Sequence, residues 1–177
     1  VTDRGHTRVQ RQWRNRVAEE AGLPVIQVET NLIVPVEAAS DKREYAARTL
    51  RGKLQKQLPG FLHPLERTEP RKQSLPLHVT GLDVDDPDAA CERLRLDRSV
   101  QPVDRFRGGQ SEARRVFRAF LDQRLADYAA HRNQPQTDDV SCMSMYLHFG
   151  QISPVYLARQ VRQASSVPED QKAAFIE

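Results

Sequence analysis

The sequence predicts an α/β segment and then an all-helical one, joined by a proline-studded linker. Three observations carry this expectation. Within residues 1–58 a strand-like end, an amphipathic helix and a β-branched run follow one another, the order expected of a parallel sheet covered by helices. Between 59 and 108 the hydrophobic periodicity dissolves around Pro59, Pro64, Pro70, Pro76 and Pro87. From 109 to 177 the apolar residues return at helical spacing.

Taken in order, Val-Thr-Asp at the start reads as the end of a strand. Over 7–21, Val9, Trp13, Val17 and Ala21 recur every fourth residue, with arginine and glutamine on the other faces; Gly22 suits the left-handed end of that helix. The run 24–35 is short, β-branched and bounded by Pro24 and Pro35, which predicts a strand. Asp41 with Glu44 three residues on resembles a capping box and predicts a helix through Ala46, Leu50 and Leu54 to about Leu58. A brief helix is expected over 88–96, and the RFRGGQ stretch at 105–110 turns the chain. The spacing of Phe117, Phe120, Leu121, Leu125 and Tyr128 predicts one long helix over 111–132 with arginines outward. Ser153 and Pro154 form an N-cap and first-turn pair for a further helix, and a last one begins at Pro168.

Hydrophobic residues make up 38% and charged residues 29% of the 177, enough for a core under a well-solvated exterior. No apolar run approaches the ~20 residues of a membrane helix, and no charged-then-apolar leader is present. Cys91 and Cys142 lie far apart without metal-ligand spacing, so a reduced, intracellular compartment is expected and no metal site is assigned. The net charge of +3, mostly arginine, allows a polyanionic partner without requiring one. The strand-like beginning, and the helical pattern that runs to Glu177 without a stop signal, read as an internal piece of a longer protein.

The chemistry concentrates in SCMSMYLHFGQIS, residues 141–153. Ser141 and Ser144 offer hydroxyls and backbone N–H groups at a loop-to-helix turn, and Tyr128 could add a hydroxyl from the preceding helix. Two readings of the residues stand: a pyrophosphate cradle, or an ordinary polar inter-helix loop with Tyr146, Leu147 and Phe149 in the core.

The pattern Tyr128, Arg132-Asn133, Ser141, Met143-Ser144-Met145 and an unbroken YLHFGQIS resembles the flavin-binding segment of the DNA photolyase family. The Gln151-Ile152-Ser153 ending is similar to class II cyclobutane pyrimidine dimer photolyases in particular, as are VTDRGHTRVQRQWR, ASDKREYAARTLR and RFRGGQSEA. The resemblance covers nearly the whole chain. It implies that 1–58 is the end of a Rossmann-like, antenna-binding α/β domain, 59–108 an inter-domain linker, and 109–177 the opening of the helical FAD-binding domain.

By position, the resemblance implies that Tyr128, Ser141, Met143 and Ser144 face the FAD phosphates and ribityl chain. Cys142 would join that cradle as a small residue that allows close backbone approach, and Arg132 would lie near the lesion-binding pocket. Met145 stands where the family usually has proline, Met143 where it has leucine, and Val140 where many members carry threonine. The first two keep apolar volume; the third removes a side-chain donor.

The implied activity is that of a deoxyribodipyrimidine photo-lyase, monomeric and acting on UV-damaged DNA. Reduced FAD, with an antenna chromophore possible in the parent protein, would pass an electron under light to a flipped-out pyrimidine dimer. The catalytic residues would lie outside the chain. The location would be cytoplasmic in a bacterium or archaeon, nuclear or organellar in a eukaryote. His148 reads as a partly buried structural histidine, Trp13 as core, and the arginines at 114, 115, 118 and 124 as a solvated helix face. A cryptochrome-like photoreceptor and a flavin-free helical nucleic-acid-binding module are the alternative functions. Alone, the 177 residues are expected neither to hold flavin nor to repair DNA, with unpaired strand edges and Phe117, Phe120 and Leu125 exposed.

Overall fold

The computed structural model of the chain describes every residue except Leu65, Arg67, Val79, Leu82, Val84, Arg95 and Pro102. The described residues form two compact units, one of 1–63 with 108–177 and one of 64–107. The expected linker and the end of the expected 88–96 helix therefore fall partly outside the described residues.

In the first unit, strand β1 (Thr2–Asp3) pairs in parallel with β2 (Gln27–Val28), Thr2 opposite Gln27 and Asp3 opposite Val28. Helix α1 (Arg8–Glu20) forms the crossover. Thr7 and Gln10 close a reciprocal capping box at its start. Gly22, at φ +60°, follows its end, as the sequence predicts. The carboxylate of Asp3 accepts from the Thr30 hydroxyl at 2.7 Å, which holds its pKa below the ordinary value.

Two expectations for this region need correction. The 24–35 strand contracts to two ladder residues, and Val36–Ala39 turns into a short helix, α2, behind Pro35. The α1 stripe is not core: Trp13 is 65% exposed, and Val9 and Val17 are exposed with it. A two-residue, two-stranded ladder is too narrow to cover a helix face.

The capping-box expectation at Asp41–Glu44 also fails. Helix α3 (Ala47–Phe61) has Ala46 at its N-cap position, without a side-chain cap, and continues through Pro59. Glu44 is taken instead by Lys53 Nζ at 2.6 Å and by the Ser40 hydroxyl at 2.8 Å. In the second unit, α4 (Pro87–Arg93) is capped by Asp86, whose carboxylate accepts from Ala89 N at 3.0 Å.

The core sits in the helical part of the first unit. Helix α5 (Gln110–Gln123) buries Ala113, Phe117 and Phe120. They pack with Leu125, Met143, Tyr146, Ile152, Leu157 and Val161. Burial of each Val, Leu, Ile, Met or Phe side chain in this set stabilises the fold by about 1.5–3 kcal/mol. Phe117, Phe120 and Leu125 are thus buried within the chain, contrary to the expected exposed face.

The predicted 111–132 helix is broken. Arg124 leaves helical geometry at φ −130°, a 3₁₀ turn covers Leu125–Asp127, and α6 (Tyr128–His131) follows. An unbroken helix at 100° per residue would carry Arg124 into the middle of the Phe117–Phe120 stripe and Leu125 to its edge. The break reverses this, burying Leu125 completely.

Helix α7 (Ser144–His148), helix α8 (Pro154–Gln163) and helix α9 (Glu169–Ile176) complete the unit. Ser153 caps α8 by accepting from Tyr156 N at 3.4 Å. Helix α9 closes the core with Phe175, whose ring lies 5.9, 5.3 and 5.4 Å from those of Phe117, Phe120 and Tyr128. Among the described residues, no helix is long and apolar enough to cross a membrane.

Candidate cofactor-binding loop

The loop from Asn133 to Met143 runs from the end of α6 to the start of α7 and is pinned at several points. Thr137 Oγ1 donates to the Gln134 carbonyl at 2.9 Å. His131 Nδ1 and the Asp139 carboxylate share a 2.6 Å hydrogen bond. Arg124 Nη1 donates to the Asp138 carbonyl at 3.4 Å. Asp138 and Cys142 adopt left-handed φ values of +53° and +55°, so the backbone reverses twice within five residues. Non-glycine residues hold that conformation only where their surroundings enforce it.

The expected cradle residues divide by burial. Met143 is buried in the core and precedes α7, its carbonyl accepting from Leu147 N at 2.9 Å. That anchor fixes the residues on either side of it. Ser141 is half-buried, its Oγ accepting from Met143 N at a long 3.4 Å. Ser144 is exposed at the first position of α7, and Cys142 is half-buried between the two serines.

The first N–H groups of any helix lack intrahelical acceptors. With the two hydroxyls, those of α7 make a donor-rich edge suited to phosphate oxygens. At five residues α7 adds little dipole, so the donors would act locally. The donor set fits a phosphate group.

Tyr128 stands apart from those serines in role. Its ring packs edge-on against Phe120 at 5.6 Å and against Phe175 at 5.4 Å, as part of the aromatic wall. Arg132 reaches away to α9: Nη1 donates to the Ala174 carbonyl at 2.7 Å, and Nη2 lies 3.6 Å from Glu177.

His148 is exposed rather than partly buried, edge-on to Phe149 at 4.8 Å. Phe149 itself is 73% exposed, so of the three aromatic and aliphatic residues considered for the core, Tyr146 alone is fully buried. Burial, followed by the negative charge of Glu112, pushes the Tyr146 phenol up. The helix ends there because Gly150, at φ +64°, donates to Leu147 while Gln151 N donates to Tyr146 at 2.8 Å.

Residue patterning did not single out Arg124, His131, Asp139 or Gln151 as functional. Gln151 accepts from Gly109 N at 2.9 Å, and the others secure the loop. The signal that could have found Arg124 is its place in a helical stripe that is otherwise apolar.

A cavity of about 560 Å³ lies elsewhere, between α3 and α9, lined by Val34, Leu50, Leu54, Lys172 and Ile176 among others. A second, of about 410 Å³, lies between β1 and α1 and includes Asp3 and Trp13. Neither includes the loop serines. Among the described residues, no cluster of histidine, cysteine or acidic side chains could hold a metal ion.

No protein-family model matches the chain. It is 41% identical over 169 residues to the deoxyribodipyrimidine photo-lyase of Methanothermobacter thermautotrophicus, covering 96% of this chain and 37% of that protein. It is 32% identical over 164 residues to the photo-lyase of the same name from Potorous tridactylus, covering 88% of this chain and 29% of that protein. With the one from Arabidopsis thaliana, identity is 31% over 184 residues, covering 100% of this chain and 37% of that protein. The chain spans about a third of the length of these curated relatives. Similarity that extends over nearly all of its own length supports the photolyase family for this chain.

Proposed function

We propose that the chain is an internal portion of a class II-type DNA photolyase, a light-driven enzyme that splits cyclobutane pyrimidine dimers. The observation that carries this is the 31–41% identity to deoxyribodipyrimidine photo-lyases, spread over both the α/β and the helical parts. In this reading 1–58 ends the α/β domain, 59–108 connects, and 109–177 opens the FAD-binding domain.

Within that domain, Ser141 and Ser144 donate to the FAD phosphates, with the backbone of Cys142 and Met143 shaping the turn. Tyr128 contributes to the same site from α6, where its ring packs against Phe120 and Phe175. Flavin, when bound in reduced form, supplies the electron that opens the dimer. This chain's residues bind and orient it, while Arg132 contacts the lesion-bearing strand. The donor-rich edge at Ser141 and Ser144 supports this assignment.

The test is photorepair by the full-length protein. DNA carrying cyclobutane dimers is mixed with the reduced, flavin-loaded protein and counted for dimers under blue light and in the dark. Light-dependent loss is expected. Equal dimer counts in light and dark would overturn the proposal.

A further inference from the structure

We infer that Arg124 is a positioning residue for the loop that carries Ser141 and Ser144, and the fixed counter-charge to an anionic group bound there. The inference rests on the flavin reading and goes beyond it by naming a residue that no motif assigns.

Arg124 occupies the break between α5 and the 3₁₀ turn, with φ −130° and ψ −21°. Its guanidinium carbon lies 5.9 Å from the centre of the Phe120 ring. From that platform Nη1 reaches the carbonyl of Asp138, one of the two left-handed residues of the loop. The chain thus leaves helical dihedrals, while Arg124 N still donates to the Phe120 carbonyl at 3.0 Å, at the point where it aims a cation at the turn before Ser141.

The Arg124 side chain is half-buried and keeps part of its charge in water. Its partners are a neutral carbonyl and an aromatic face, and its Nε is buried without a hydrogen-bond partner. A half-exposed cation still attracts an anion held nearby, and salt screens that attraction. A buried donor without an acceptor in the protein is uncommon and calls for an explanation. A phosphate held by the loop serines would add a negative charge close to the turn that Arg124 holds. Arg124 would act through the Asp138 backbone and through its field, without touching the ligand.

The experiment measures binding of FAD and of riboflavin, which has no phosphate, to the full-length protein at low and high salt. Arg124→Met is expected to weaken FAD binding at low salt by about tenfold or more, with a shallower salt dependence. Riboflavin binding should stay within about twofold of wild type. Arg124→Lys should retain the salt dependence and recover part of the affinity.

Equal loss of FAD and riboflavin affinity would mean a purely structural role and overturn the inference, as would FAD binding unchanged in Arg124→Met. If Arg124→Met does not fold by circular dichroism, Arg124→Lys against Arg124→Gln decides: FAD retained by lysine and lost by glutamine supports the inference, and equal affinities reject it. Wild-type protein that binds neither ligand would overturn the flavin reading itself, and this inference with it.

Discussion

The side-chain oxygen of Gln151 accepts a hydrogen bond from the backbone N–H of Gly109 at 2.9 Å, across 42 residues of sequence. This contact joins the first residue before α5 to the turn that ends α7, the two ends of the candidate cofactor segment. Gly109 sits at φ +109°, ψ 152°, a conformation essentially reserved for glycine. A Cβ on neighbouring Gly108 would come within 3.2 Å of the Gln151 amide. The GG and GQIS motifs are therefore one structural joint.

Gln151→Leu should lower stability by about 1–3 kcal/mol, because the Gly109 N–H loses its acceptor. Gly109→Ala should cost a similar amount, about 1–3 kcal/mol, through backbone strain. If the joint is one unit, the double variant loses less than the sum of the two. Urea unfolding of the three variants checks this.

Where local chemistry determined the outcome, the sequence was legible. Gly22, Ser153 with Pro154, and the Phe117–Phe120 face stand as patterned. The failures share a cause: tertiary partners outbid a local preference. Glu44 has the spacing of a capping residue but finds Lys53, a cation on the following helix. Arg124 breaks a helix whose periodicity is sound, because Leu125 gains full burial by the break. Trp13 repeats at a core spacing, but the described sheet beneath it is two strands wide. In the candidate site the serines were legible as donors. The clamps behind them were not, since His131–Asp139 and Arg124–Asp138 depend on how the loop folds back.

Glu44 gives a pH signature. Hydrogen bonds from Lys53 first, and then from Ser40, lower its pKa from 4.5 to about 2. A carboxylate depressed in the folded state contributes stability that is fully present above its unfolded pKa and lost as pH falls through the folded one. The window here is from about 4.5 down to about 2. Glu44→Gln should therefore be less stable than wild type at neutral pH, with the gap closing across that window. Denaturant midpoints of both proteins at matched pH values test it. A gap that stays constant from neutral pH down to the bottom of the window would contradict the assignment.

Ser141 and Ser144 should matter for flavin and little for folding. Their side chains are half-buried and exposed, and the structural hydrogen bond at Ser141 Oγ is long, at 3.4 Å. Replacing both with alanine should cost flavin affinity about 1–3 kcal/mol per lost charge-assisted bond, with the apo-protein melting temperature nearly unchanged. His148→Gln, at an exposed position, should leave flavin affinity near wild type. Flavin occupancy of the double serine variant equal to wild type would remove the cradle from the loop.

Arg132 combines two effects that one variant can separate. Its hydrogen bond to Ala174 ties α6 to α9, and the side chain is about one third exposed (35%). Arg132→Ala should lower stability by only about 1 kcal/mol, solvent having weakened the interaction already. Binding of flavin-loaded protein to dimer-containing DNA should fall by about 1–3 kcal/mol. Flavin content should stay close to wild type, because the guanidinium points toward α9 and not toward the loop serines. Loss of flavin in this variant would instead assign Arg132 to the cofactor site.

The 177-residue chain on its own should show two stability classes in hydrogen exchange. Amides of α5 and α8 back a core in which Phe117, Phe120, Leu125, Tyr146 and Val161 are fully buried, so their exchange requires unfolding of that core. Helix α1 buries no side chain, and its apolar stripe faces outward. Opening α1 exposes little new apolar surface, and its amides should exchange first. The exposed Trp13, the chain's single tryptophan, should be quenched by acrylamide to the same degree in the native chain as in urea. Added FAD should separate from the chain on gel filtration, since the proposed edge at Ser141 and Ser144 contacts the phosphates and supplies no enclosure for the flavin ring. Strong protection of α1 with a shielded Trp13 would show that the stripe is covered in solution, by self-association if protection rises with concentration. A yellow, cooperatively melting fraction would show that the chain holds the cofactor unaided.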